Sequence, residues 1–263
     1  MGFETIRPLF SGGINSNIQI TPFRFAPTFK ANDIASDRAE FNSTGKYTSE
    51  KYIISQIKSN PEISKIMKEM NAPIVLNMDE LRALQSGHAT ETKKIAMAIA
   101  KNLPQSLKNQ VNLKSLQDAA YLHDLGKVLI PKEVLNKPGK LTPDEEKIMH
   151  KHSLLSYELL KNSDIDTRTL NLIKHHHQNP NHTGYPKVND DFHADINLQI
   201  LTLADKYSAL LEKRAYKEPM TSKQALTIIY KDVKDGNIHP FVFNALVNAE
   251  NKAVNKNPML ANS

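Results

Sequence analysis

His123 and Asp124 stand side by side in Tyr121-Leu122-His123-Asp124-Leu125-Gly126-Lys127, and further donors follow the same apolar helical patterns. His88 lies upstream, His152 on the next expected helix, His176-His177 beyond it, and Asp205 later still. A lone histidine on an apolar helix face is usually a core residue satisfied by a carbonyl, and the chain has 10 histidines to scatter. Seven nitrogen and oxygen donors on successive helices, in the order H…HD…H…HH…D, point instead to a metal centre inside a helical bundle. Imidazoles mixed with carboxylates suit Fe, Mn, Zn or Ni, and an Asp can bridge two ions through its two oxygens. Adjacent His176 and His177 point about 100° apart on an ideal helix, so both could reach one cluster near a helix end.

Composition narrows the chemistry. The 263 residues include no cysteine, which excludes disulfides, thiolate metal sites and cysteine nucleophiles. Hydrophobic residues make up 40% with few aromatics and no Trp, a core of Leu, Ile, Ala and Val that suits packed helices. Lys and Arg total 34 against 28 Asp and Glu, a net charge of +6 that favours an anionic substrate or partner. No Lys/Arg run or recognition-helix signature supports nucleic-acid binding. The start lacks a secretory signal, and Ile6 occupies the place where a myristoylation motif wants Ser or Thr. No apolar run approaches the roughly 20 residues needed to span a bilayer. These features give the expectation of a cytoplasmic protein with no membrane partner.

The elements that must position the donors are all helical. Residues 1–46 are rich in Gly, Ser, Asn, Thr and Pro and are expected to form a flexible arm, a piece that could dock on the domain, in a homodimer or on a partner. Short helices are expected over 47–76, with Asn60-Pro61-Glu62 as a cap and first turn. The domain proper is expected over 77–255. Leu81, Leu84, His88, Ile95 and Ile99 share one helical region, with Gly87 marking a bend just before His88. Asn112 caps a helix expected to run to Gly126. Thr142-Pro143-Asp144-Glu145 is a capping box opening the His152 helix. Thr167–His177 follows, then a polar loop over 179–191, then a helix from about Asn197 to Arg214. Thr221 to Gln224 forms another capping box, and Gly236 suits that helix's end. The fold class is all-α.

These residues resemble the HD-GYP branch of the HD phosphohydrolases. The likeness rests on His123-Asp124-Leu125-Gly126-Lys127, Ile130-Pro131, Lys137-Pro138-Gly139-Lys140-Leu141, His152, His176-His177, Gly184-Tyr185-Pro186 and Ala204-Asp205. Arg214-Ala215-Tyr216-Lys217 resembles the family's Arg-x-Tyr-Lys segment, and the match runs from about His88 to Leu246. The resemblance implies a helical bundle around two divalent transition metals, Fe or Mn favoured over Zn or Ni, that hydrolyses cyclic di-GMP by attack of a metal-bridged hydroxide. It implies that His88, His123, Asp124 and Asp205 hold one ion. Asp124 then bridges to a second held by His152, His176 and His177. Against the family's spacing His150 and His175 fall outside the set. Asp124 and Lys127 are the catalytic candidates. Lys127, Tyr185, Arg214 and Lys217 are the substrate-binding candidates. The chain departs from the pattern at Gln178 (usually Glu), Asn181-His182 (usually Asp-Gly), Ser208 (usually an acid) and Leu84 (a Glu in members with a third metal). An HD phosphohydrolase for another nucleotide or phosphodiester, or a non-catalytic HD signalling or binding module, are the alternative readings.

Overall fold

The computed structural model describes residues 44–212 and 218–256. Among them there is no β-strand, and the longer helices are α1 (Glu50–Ser59), α2 (Pro61–Glu69), α3 (Met78–Leu84), α4 (Thr90–Asn102), α5 (Leu113–Leu122), α6 (Pro143–Leu160), α7 (Thr167–His175), α8 (Ile196–Leu211), α9 (Ser222–Lys234) and α10 (Pro240–Lys256). The starts follow from local chemistry. Asn60 Oδ1 accepts from Glu62 N with Pro61 at the first position, and Asn112 Oδ1 accepts from Ser115 N. Thr142 with Glu145, and Thr221 with Gln224, form complete capping boxes. Gly236 takes φ +72° just past α9, a conformation that glycine adopts without a Cβ penalty.

Helix α4 runs through the middle, packed against α5, α8 and α10, while α7 packs on α5 and α6. Ile95, Ala96, Ile99 and Ala100 recur at helical spacing on α4 and are all buried. Helices α1 and α2 lie on α6. Of the segment expected as an arm, residues 1–43 lie outside the described residues, and Gly45–Thr48 forms a 3₁₀ turn whose Lys46 pairs with Asp164 at 2.9 Å.

One expected boundary beside the donors moves. The helix expected to reach Gly126 ends at Leu122, and Leu125–Leu129 is a 3₁₀ turn. The cause is contact: a Cβ on Gly126 would lie 2.2 Å from the His152 carbonyl oxygen and 2.5 Å from Ser156 N, so the turn presses its backbone on α6. The bend expected at Gly87 is a π turn over Gln85–Ala89 between α3 and α4. A π turn inserts one extra residue into the helical ladder, and such insertions recur at functional sites. No helix among the described residues is long and apolar enough to cross a membrane.

Candidate metal centre

The ligand candidates come from helix ends, one helical interruption and two helix interiors. His88 is in the π turn, His123 caps the C-terminus of α5, and His176 caps that of α7. His152 lies inside α6 and Asp205 inside α8. Three imidazoles are fixed in the same way. Nδ1 lies 2.9 Å from Ala120 O for His123, 2.7 Å from Met149 O for His152, and 2.7 Å from Ile173 O for His176. A carbonyl only accepts, so Nδ1 carries a proton in all three rings and Nε2 is turned inward. Ser156 ties this floor together: its hydroxyl accepts from Gly126 N at 2.8 Å and reaches the His123 carbonyl at 2.6 Å.

The seven donors converge. His152 Nε2 lies 3.2 Å from His176 Nε2 and 3.1 Å from His177 Nε2. His88 Nε2 lies 2.8 Å from Asp205 Oδ1, and His123 Nε2 3.6 Å from the same oxygen. Asp124 stands between the two groups, with Oδ1 3.3 Å from His152 Nε2 and Oδ2 3.4 Å from His123 Nε2. His152, His176 and His177 form one set within metal-ligating reach of one another, and His88, His123 and Asp205 another. His150 is exposed and His175 Nδ1 bonds Asn171 O at 3.0 Å; neither enters a set.

The donors fit divalent cations. His123 Nε2 and Asp124 Oδ1 are buried and make no hydrogen bond. Lone pairs of His152 and His176 face each other at 3.2 Å, an arrangement that a cation between them turns from repulsive to favourable. Burial brings His152 down to about 3 and His177 to about 4, and holds His176 well below its ordinary value, so these rings are neutral. Burial also opposes charge on His123, but the Asp124 and Asp205 carboxylates outweigh it and raise the ring to about 10. Both carboxyls resist burial's upward push. Lys127 and His123 hold Asp124 well below the usual range, and His123 and His88 do the same for Asp205.

Above this floor opens a cavity of about 910 Å³. Lys127 lines it and places Nζ 2.6 Å from Asp124 Oδ2. Tyr185 lines it too, its ring stacked on His150 at 3.7 Å and packed against His177 at 4.6 Å. Arg214 and Lys217 lie outside the described residues. Several residues near the site carried no role in the sequence reading. Ser208 Oγ lies 3.2 Å from His88 Nδ1, and Glu212 Oε2 3.9 Å from it. Gln178 is buried; Oε1 accepts from Asn179 N and Gly184 N, each at 3.1 Å, and Nε2 donates to Pro186 O at 2.8 Å. A glutamate could make the first two bonds but, ionised, not the third, so the departure at 178 suits a loop that needs both donor and acceptor. The spacing of Ser208, three residues after Asp205 on α8, was the available signal for it, while Glu212 lies just past the helix end.

Comparison with known proteins agrees with this geometry. Residues 76–240 match the family described as HD domain. A "Probable cyclic di-GMP phosphodiesterase" of Vibrio cholerae is 39% identical over 137 residues, 49% of this chain and 31% of that protein. The cyclic di-GMP phosphodiesterase response regulator RpfG of Xanthomonas campestris pv. campestris is 38% identical over 125 residues, 46% and 33% of the two chains. The 3'3'-cGAMP-specific phosphodiesterase 1 of Vibrio cholerae is 28% identical over 160 residues, 61% and 36%. The chain therefore spans about a third of the length of these relatives. Among solved structures, Bd1817, a HDG"Y"P protein from Bdellovibrio bacteriovorus, superposes with a TM-score of 0.51 at 18% identity, covering 84% of this chain and 64% of that one, and so shares the fold. Bundle, ligand order and matched span converge on one conclusion: the chain belongs to the HD-domain family, in its HD-GYP branch.

Proposed function

We propose that the protein is a metal-dependent phosphodiesterase of cyclic dinucleotides, with cyclic di-GMP as the preferred substrate. The observation that carries this reading is the floor itself, seven donors, all buried but the partly exposed His177, at the base of a cavity whose walls bear Lys127 and Lys137. That cavity falls within the range of pockets that bury most of a small ligand. Two relatives named for cyclic di-GMP and one for 3'3'-cGAMP support the substrate class.

His88, His123, Asp124 and Asp205 would hold one ion, and Asp124, His152, His176 and His177 the second. The opposite facing of the two Asp124 oxygens supports its bridging role. Two divalent ions there would supply an activated water and neutralise charge on the attacked phosphate. The chain's own contribution is positional. Backbone carbonyls hold three rings in one tautomer, and the 3₁₀ turn after Asp124 puts Lys127 over the carboxylate. With a phosphodiester bound, Lys127 can exchange Asp124 for a phosphoryl oxygen or give its proton to the departing ribose oxygen. Leu84 lines the cavity one turn before His88 and has no donor atom, which supports two ions and not three.

The test is turnover by metal-loaded protein of cyclic di-GMP, 3'3'-cGAMP, cyclic di-AMP and bis-p-nitrophenyl phosphate, beside elemental analysis. Hydrolysis confined to cyclic dinucleotides with two metals per chain is expected. Tight binding without turnover would identify a signalling module instead, and a stoichiometry near three would overturn the binuclear assignment.

A further inference from the structure

One wall of the cavity carries a charge pair for which the phosphate chemistry has no use. Lys206 follows Asp205 on α8 and Asp232 lies on α9; both line the cavity, and Nζ of the first pairs with Oδ2 of the second. Thr202, Asp205, Lys206 and Ala209 line it together, a spacing that puts them along one face of α8. A molecule whose phosphate lies at the ligand carboxylate therefore meets the ion pair beside it. The wall is held in place. Asn237 N donates to Asp232 O at 2.8 Å, and Asn181 Nδ2 donates to Asp235 O at 2.7 Å and to Asn237 Oδ1 at 3.0 Å. The two side chains are 39% and 22% exposed, accessible from the cavity yet partly shielded.

On an open surface such a pair would contribute little to stability. Lining a ligand cavity, it presents a donor beside an acceptor. Guanine bears the complementary edge, an O6 acceptor followed by the N1–H and N2–H donors. Adenine has the reverse at the same positions, an N6 donor followed by the N1 acceptor. We propose that Lys206 and Asp232 form a base-reading subsite that selects guanine over adenine in a cyclic dinucleotide held at the ligand cluster, a proposal that rests on the phosphodiesterase reading above. Lys206 donates to O6 while Asp232 accepts from N1–H and N2–H, so neither charge loses a partner as the base enters. Adenine in the same pose sets N6–H against the ammonium and the N1 lone pair against the carboxylate, and a site built for one hydrogen-bonding pattern rejects its mismatch strongly. Glu80, which also lines the cavity, is already held by Asn136 Nδ2 at 2.8 Å and Lys132 at 3.5 Å.

The test is kcat/KM for cyclic di-GMP and cyclic di-AMP in competition, on the full metal-loaded chain, for wild type, Asp232→Asn and Lys206→Met. Wild type is expected to prefer cyclic di-GMP. Asp232→Asn, whose amide pairs one donor with one acceptor, should lower that preference by about tenfold or more, chiefly through loss on cyclic di-GMP. Lys206→Met should move the ratio the same way and stands in if Asp232→Asn does not fold. Parallel losses on both substrates, an unchanged ratio, or a wild type that prefers cyclic di-AMP would overturn the subsite. If wild type turns over neither, the phosphodiesterase reading fails by itself, and equilibrium binding of the same two dinucleotides decides the subsite. Guanine-selective binding lost in Asp232→Asn upholds it, and equal binding refutes it.

Discussion

The floor and the walls of the cavity are built on different terms. On the floor, His123, His152 and His176 are at most 1% exposed, and each ring is pinned by a carbonyl three residues earlier in its own helix. Their placement therefore comes with the helices and needs no adjustment by neighbours. On the walls, Lys206 and Asp232 are partly exposed side chains held by each other across helices, Glu212 is partly exposed beside His88, and the 178–186 loop is fastened by side-chain bonds of Gln178, Asn181 and His182. Rigid burial suits metal chemistry, where a displaced donor loses the ion. Partly exposed, exchangeable contacts suit recognition, where a ligand must take over a hydrogen bond the protein was making with itself.

That contrast can be broken at the floor first. Asp124→Ala is expected to lower turnover at least about 10³-fold and to deplete bound metal while the helical circular dichroism survives, because Asp124 is the carboxylate facing both histidine groups. Retention of full metal content with near-normal rates would show that the floor is not the reacting centre. Lys127→Ala should cost less, about 10²-fold in turnover with metal content kept, since a protonated lysine is not a ligand. Metal loss comparable to that of Asp124→Ala would make Lys127 part of the floor's structure.

The loop gives smaller effects. A Cβ at Gly184 would meet His177 O at 2.0 Å and Gln178 Cα at 2.8 Å, so Gly184→Ala must displace the loop. Turnover should fall about tenfold, as expected when a ligand-bearing segment is misplaced by part of an ångström. Unchanged kinetics would mean that His177 does not depend on this contact. Gln178→Glu puts a carboxylate against the Pro186 carbonyl in place of a donor, at a cost of about 1–3 kcal/mol. For a chain of this size that is a melting-temperature drop of roughly 2–12 °C, read by thermal denaturation. An equally stable variant would show that the amide donor is dispensable. His182 has φ +57°, in the left-handed region that favours glycine, and offsets this by placing Nε2 2.9 Å from Phe192 O. His182→Gly exchanges the strain for the bond, and its melting temperature should stay within about 3 °C of wild type. A larger fall would mean that the His182–Phe192 contact anchors the whole loop.

Much of the helical order was legible because capping is local. Asn60, Asn112, Thr142 and Thr221 each satisfy backbone donors two or three residues away, so sequence alone marks those starts. The ligand candidates were legible for a related reason: each is a polar residue in an apolar helical pattern, and all seven meet at one floor. Gly126 does not terminate the helix because its constraint is the backbone of α6 some thirty residues on, and no local signal carries that. Gly87 showed as a bend, but that the bend is a π turn turning His88 toward Asp205, 117 residues away, emerges only when α4 and α8 pack. Ser208 against His88, Gln178 across its loop and Lys206 against Asp232 belong to the same class. Sequence by itself determined which residues are the metal-ligand candidates and which helical segments bear them. Tertiary structure decided which side chains support them, because a hydrogen bond between distant helices depends on how apolar faces dock, and apolar docking is non-directional until every face has found its partner.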